Sequence, residues 1–214
     1  MIHDLKSPAI GIHGLTALLH KRYQGVLDHQ GEKFCDQILK ASEQVVALVE
    51  KVNTYIATKE MPLKVEPIDS HEIFQMIRDE FSAQLSIRQV DCYWPEIAPL
   101  VKADRLSLLR VFRNLVDNAL KYGGEQLSEI RIGYEESSDF HVFSVCDNGV
   151  GVNTENPEKL FALFQRHETS KGIAGTGLGL AIVKEIVERH QGEVWAEPGS
   201  EQGVSFFVTI SKKL

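Results

Sequence analysis

Long apolar runs are missing from this 214-residue chain. No stretch approaches the ~20 consecutive apolar residues that span a bilayer, and no secretory signal precedes the first motif. A soluble, cytoplasmic fragment without membrane contact is expected, from a parent whose own anchoring the sequence leaves open. Cysteine is scarce. Cys35, Cys92 and Cys146 are odd in number and far apart, which argues against a disulfide framework or a CxxC metal site and fits a reducing compartment. Cationic excess is lacking too: 23 Lys and Arg face 30 Asp and Glu, for a net charge of −7. With no clustered basic block, nucleic acid is not an expected partner. Low-complexity tracts and internal repeats are also missing. With 43% hydrophobic residues the chain can build a real core, so disorder is not expected.

What is present begins with helical periodicity. Apolar residues at Ile2, Leu5, Ala9 and Ile12 fall at three- and four-residue steps, and Leu19 lies seven further on, from Ile2 to about His20. A polar stretch from Tyr23 to Gly31 follows. Then Phe34, Ile38, Ala41, Val45, Leu48, Val52 and Tyr55 alternate strictly between steps of four and three. This heptad-like stripe predicts an antiparallel helical hairpin. One hairpin cannot enclose a core, whereas two would bury their stripes in a four-helix bundle. A homodimer through residues 1–60 is therefore expected, against the plainer reading of a hairpin packed on the rest of its own chain.

Met61-Pro62 breaks the pattern and Pro67 follows, which sets a boundary near residues 59–62 and a second domain over 61–214. There, Asp69-Ser70-His71-Glu72 has the form of a helix cap with an acid three positions on, and an amphipathic helix should run to about Ile87. Short strands are predicted at 90–94 and 100–102, and Asp104 caps a helix reaching Tyr122. Ile130–Tyr134 and His141–Cys146 form a hairpin around residues 137–139. A helix over 178–190 and strands at 193–196 and 204–210 complete an α+β two-layer sandwich.

Four segments of this domain carry chemistry. Asn114, Asn118 and Lys121 share one helical face, a poor core face but a good one for oxygen and phosphate; carboxamide oxygens suit Mg²⁺. Asp147-Asn148-Gly149-Val150-Gly151 places a carboxylate at a strand end before two alternate glycines, where a flat ligand can approach the backbone. Asn-Gly is equally a common turn dipeptide. Gly175-Thr176-Gly177-Leu178-Gly179-Leu180 opens a helix and bares N–H groups at its positive end. It has neither the Gly-Lys-Ser/Thr ending of a P-loop nor dinucleotide spacing. Phe161 and Phe164, three apart, are expected in the core, with Arg166 beside them as a phosphate contact or a surface ion pair. The histidines at 13, 20, 29, 71, 141, 167 and 190 show no metal-ligand spacing, and His13 and His20 are expected on the hairpin surface.

Taken in this order, Asn-xxx-Asn, Asp-x-Gly-x-Gly, Phe-xx-Phe and Gly-x-Gly-x-Gly resemble the N, G1, F and G2 boxes of the ATP-binding domain shared by sensor histidine kinases, Hsp90, DNA gyrase and MutL (the GHKL, or Bergerat, fold). The likeness covers roughly residues 63–211. His3-Asp4-Leu5-Lys6-Ser7-Pro8 resembles the H box of HisKA-type sensor histidine kinases, whose histidine lies on the first helix of a dimerising hairpin. Hsp90, gyrase and MutL lack that hairpin.

The resemblance implies ATP and Mg²⁺ as cofactors and His3 as the phosphoacceptor, one position off the apolar stripe and outward-facing, with Asp4 as its base. It implies Asn118 on Mg²⁺, Asn114 supporting the metal and phosphates, Lys121 on phosphate, Tyr122 lining the pocket and Asp147 on the adenine amine. Gly149 and Gly151 would shape the floor. Gly175, Thr176, Gly177, Leu178 and Gly179 would form the phosphate-side loop, with Arg166 a phosphate contact and residues 152–174 an ATP lid. It further implies transfer from His3 to an aspartate of a response-regulator receiver domain. Two departures stand out. Ser7 occupies the position where phosphatase-active members carry Thr or Asn, and Glu201-Gln202-Gly203-Val204-Ser205 replaces a Gly-x-Gly, a turn expected to have little consequence. A non-catalytic scaffold and an ATPase that does not label itself are the rival readings.

Overall fold

The computed structural model describes residues 2–152, 156–165, 175–199 and 202–214, with side chains from Lys6 onward. The chain divides into two units, Met1–Ile56 and Ala57–Leu214.

In the first unit, helix α1 (Ile2–Arg22) turns back into α2 (His29–Glu60). The Asp28 carboxylate caps α2 by accepting from the Gly31 N–H at 2.7 Å, satisfying one of the donors a helix start leaves unpaired. The most buried positions of this unit lie beside the heptad-like stripe, not on it. Buried positions are Ala9 on α1 and Cys35, Ser42 and Val49 on α2, the last three spaced by sevens but one step around the helix from Phe34, Ala41 and Leu48. His13, expected on the surface, is half-buried in this seam, with Nδ1 3.2 Å from Ser42 Oγ. Lys6 Nζ and Glu50 Oε1 close the same seam at 2.6 Å. Phe34, Ile38 and Val45, on the stripe itself, remain exposed.

The second unit runs β1 (Val65–Asp69), α3 (Ser70–Arg88), β2 (Asp91–Tyr93), β3 (Leu100–Asp104), α4 (Arg105–Tyr122), β4 (Glu129–Glu136), β5 (Phe140–Asp147), a 3-10 turn (Pro157–Phe161), α5 (Gly179–Arg189), β6 (Val194–Pro198) and β7 (Val204–Ser211). Five strands form a mixed sheet in the order β2-β4-β5-β7-β6, and β1 pairs with β3 as a separate antiparallel ribbon. Strand β1 is a correction to the sequence reading, in which Pro67 only breaks helix. A two-stranded ribbon has open edges, so a proline that cannot donate is tolerated there, opposite Lys102.

Burial alternates strictly along β5, so one sheet face meets the helices and the other does not. Between the layers Phe112 packs edge-on against Phe74 and Phe143, at centroid distances of 5.0 and 5.4 Å, a favoured aromatic geometry. Both predicted aspartate caps form: Asp69 accepts from the His71 N–H and Asp104 from the Ser107 N–H, each at 2.9 Å. The acid at Glu72 does not close a capping box; it pairs with Arg105. Phe161 is buried as expected, but Phe164 is 59% exposed, with φ at +59°. The chain turns at Phe164 so that its N–H meets the Gly177 carbonyl at 3.0 Å; backbone pairing, not ring burial, holds this position.

Candidate functional site

Helix α4 presents its polar side chains where α5 begins. Asn114 spends its Nδ2 on the Arg110 carbonyl, one turn back, at 2.8 Å, which leaves its Oδ1 available. A Cβ added at Gly179 would stand 3.0 Å from that oxygen and 3.7 Å from Asn118 Oδ1. A side chain at the first residue of α5 would therefore crowd the Asn114 carboxamide, and two carboxamide oxygens converge on the helix's N-terminal end. Lys121 projects one turn further along and pairs with Asp117 at 2.6 Å. Tyr122 closes the helix, with its hydroxyl directly against Gly175.

Asp147, the last residue of β5, is buried. Burial pushes its carboxyl above the ordinary carboxylate range, while the backbone N–H groups of Gly149 and Val204 pull the other way. Gly149 donates to Asp147 Oδ1 at 3.0 Å. A side chain at 149 would run into the Gly123 backbone at the end of α4, so the Asp147 loop and the asparagine helix are locked together, with Val150 N–H to Gly123 O at 2.9 Å. Asn148 is structural: its Oδ1 accepts from the Ser128 and Glu129 N–H groups at 3.0 and 2.9 Å.

In the glycine loop, Thr176 Oγ1 is buried with no hydrogen-bond partner among the described residues. A buried hydroxyl without a partner is costly, and beside a helix N-terminus it offers a donor for a bound anion. Leu178 is 1% exposed, so its side chain belongs to the core and only its backbone faces the loop.

These groups fit a nucleotide with a hard cation. The two amide oxygens suit Mg²⁺, the orphaned hydroxyl and helix N-terminus suit phosphate, and the buried carboxylate suits an exocyclic amine. Among the described residues no three His, Cys, Asp or Glu side chains gather as metal ligands. The structure thus brings together Asn114, Asn118, Tyr122, Gly175 and Gly179, and separately Asp147, Gly149 and Gly151. Gly151 packs against the Gly203 carbonyl, 2.7 Å from the position of an added Cβ. Gly203 in turn abuts the Asp147 carbonyl, so the turn expected to have little consequence buttresses the loop. Only a contact distant in sequence reveals this. Arg166 and residues 153–155 and 167–174 of the expected lid lie outside the described residues. So do the side chains of His3 and Asp4, whose backbone is helical in α1. Ser7 is exposed on α1.

The profile described as "Histidine kinase-, DNA gyrase B-, and HSP90-like ATPase" matches residues 103–214, from the cap of α4 to the end of the chain. The chain belongs to this ATPase family. Within it the likeness is to sensor histidine kinases. Cyanobacterial phytochrome B of Nostoc sp. (strain PCC 7120) is 32% identical over 210 residues, which span 97% of this chain and 28% of the phytochrome. The sensor protein kinase WalK of Staphylococcus aureus is 28% identical over 221 residues, 97% of this chain and 51% of WalK. This ATPase-family chain thus spans between about a quarter and a half of these relatives' lengths. Among solved structures, histidine kinase ThkA in complex with response regulator protein TrrA superimposes with a TM-score of 0.70 at 26% identity, over 98% of this chain and 59% of ThkA. No helix among the described residues is long and apolar enough to cross a membrane.

Proposed function

We propose that this chain is the catalytic core of a sensor histidine kinase. ATP phosphorylates His3, and the phosphoryl group then passes to an aspartate on a response-regulator receiver domain, in a cytoplasmic setting. The observation that carries this reading is the convergence of the Asn114 and Asn118 carboxamide oxygens on the N-terminus of α5, in a chain whose first helix bears His3 beside Asp4.

Residues 61–214 bind the nucleotide. Asp147 accepts from the adenine amine, Gly149 and Gly151 form the floor, and Tyr122 lines the pocket. Gly175, Thr176, Gly177, Leu178 and Gly179 offer backbone N–H groups and the Thr176 hydroxyl to phosphate. Lys121 and Arg166 add positive charge; the exposed Lys121–Asp117 pair is weak enough to exchange for phosphate. Mg²⁺ would be held by Asn118 with Asn114 in support, and when bound it supplies charge neutralisation for the phosphates.

A neutral His3 imidazole nitrogen attacks the γ-phosphorus, and the bond from that phosphorus to the ADP oxygen breaks. The proton on the other ring nitrogen is taken by the Asp4 carboxylate. Ser7, one turn from His3, carries a hydroxyl that can hold a water for hydrolysis of the regulator's aspartyl phosphate to aspartate and inorganic phosphate, without the amide of Asn or the restricted rotamer of Thr. Residues 1–60 dimerise through the exposed Phe34, Ile38 and Val45 stripe, and the ThkA–TrrA complex supports a receiver domain as the second acceptor.

Incubation with γ-labelled ATP and Mg²⁺ tests this. The chain should take up acid-labile, alkali-stable label, and His3→Gln should take up none. ATP turnover with no label on the protein would favour the ATPase reading, and ATP binding without either would favour the scaffold.

A further inference from the structure

One buried titratable group lies outside every role assigned so far. His190 follows the last residue of α5 and is 0% exposed. Its Nε2 accepts from the Asp104 N–H at 3.0 Å, and its Nδ1 meets the Ile186 carbonyl at 2.7 Å. A carbonyl only accepts, so Nδ1 carries the proton, and Nε2 must be bare to receive the Asp104 N–H. The ring is therefore held neutral in one tautomer. The His190 carbonyl also accepts from the Ser211 N–H of β7 at 3.1 Å.

Asp104 is the N-cap of α4. Its carboxylate is already engaged, with Oδ1 accepting from the Ser107 N–H and Oδ2 from the Lys64 N–H, each at 2.9 Å. Helices α4 and α5 pack along their lengths, and polar groups join them at two places. At one end the α4 cap joins His190 at the end of α5. At the other, Asn114 and Asn118 of α4 face Gly179 at the start of α5.

We propose that His190 is a positioning residue for the nucleotide site: its imidazole pins the far ends of α4 and α5 together and so sets the gap between Gly179 and the two asparagine carboxamides. This rests on the nucleotide reading of that gap. Close-packed interiors transmit strain, so a shift at one end of this helix pair is carried to the other, and a site built from close contacts loses affinity with small displacements. The chemistry of the position is restrictive. Lysine and arginine cannot accept, and leucine fills the space but strands both the Asp104 N–H and the Ile186 carbonyl. Glutamine can offer an oxygen to Asp104. Burial lowers the imidazole's pKa, and Arg189 adds to this, while the Ile186 carbonyl and the Asp104 carboxylate oppose it; the balance favours the neutral ring the geometry needs.

The test uses the ¹⁵N-labelled whole chain and two variants, His190→Leu and His190→Gln. In the unsubstituted protein the His190 ring nitrogens should report the neutral Nδ1–H tautomer; an Nε2–H tautomer would overturn the proposal. Without nucleotide, the Asn114 and Asn118 side-chain amide signals should shift in His190→Leu and return in His190→Gln. Affinity for a fluorescent ATP analogue should fall about tenfold in the leucine variant and recover in the glutamine variant. A leucine variant that loses stability in urea but keeps both amide positions and affinity would mark His190 as merely structural and contradict the proposal. Should the unsubstituted chain fail to bind the analogue, the nucleotide reading falls, while the tautomer and amide signals still decide the pinning. Those two readouts on the unsubstituted and glutamine proteins remain decisive if the leucine variant does not fold.

Discussion

In the hairpin, Ile10, Ile12, Leu15, Leu18, Phe34, Ile38 and Val45 are exposed, and its buried apolar positions are Ala9, Cys35 and Val49. In the ATPase unit, Ile73, Ile77, Val111, Phe112, Leu115, Phe143, Val183 and Val208 are sealed from solvent. The second unit encloses its own core between a sheet and three helices. The hairpin buries few apolar side chains and leaves several large ones exposed. Exposed apolar surface of this kind marks an interaction face. One unit is complete as a single chain and supplies a preformed site. The other leaves its stripe exposed, as the proposed pairing of residues 1–60 with a second copy requires.

Three experiments would break or sharpen that contrast. The largest effect is expected from Ile38→Lys. In a two-fold dimer the substitution appears twice, each burying a charge where an isoleucine contributed about 1.5–3 kcal/mol. Sedimentation should show monomers, with affinity for an ATP analogue unchanged. A variant that stays dimeric would remove the stripe from the interface and leave the hairpin's exposed face without its proposed role.

Next is Asp147→Asn, which acts on the complete unit alone. Losing a charge-assisted hydrogen bond to the adenine amine should weaken nucleotide binding by roughly 10- to 100-fold. Thermal stability should hold or rise, because a buried carboxylate that burial disfavours has been replaced by a neutral amide. Its oxygen can keep the bond from the Gly149 N–H. Calorimetry of both quantities checks this; a large stability loss with affinity intact would make Asp147 structural.

The smallest effect is a pH dependence. His190 is held neutral by burial, with its pKa below 6.5 in the fold, so below that value the unfolded chain binds a proton that the folded chain refuses. Stability from this group is thus fully present above about pH 6.5 and falls as pH drops below it, by at most about 1.4 kcal/mol per pH unit. Urea unfolding of the ATPase unit at pH 7.5 and 5.5 should show the decline, and His190→Gln should flatten it. The same decline in that variant would assign the effect elsewhere.

Much of this was legible in local chemistry. Asp69 and Asp104 cap their helices because a carboxylate two or three residues before a free N–H forms the bond without help from the rest of the chain. The asparagine spacing on α4 and the Gly-x-Gly-x-Gly run are likewise local, and they lie where the oxygens and the helix N-terminus meet. What could not be read depends on distant partners. Pro67 reads as a breaker until Leu100–Asp104 lies beside it. Phe164 reads as core until its backbone pairs with Gly177. Gly203 matters through Asp147, and His190 through Asp104. In the hairpin, the strict heptad concealed a second set of positions at Cys35, Ser42 and Val49, because hydrophobic periodicity does not say which face of α2 is turned to its own neighbour helix.

The most direct test of the central claim is to locate the phosphoryl group. After incubation of the whole chain with ATP and Mg²⁺, peptide mass spectrometry at neutral to alkaline pH should find one added phosphoryl group, on the peptide containing His3 and on that imidazole. Phosphate on another residue, or ADP and free phosphate with an unmodified His3, would contradict the account.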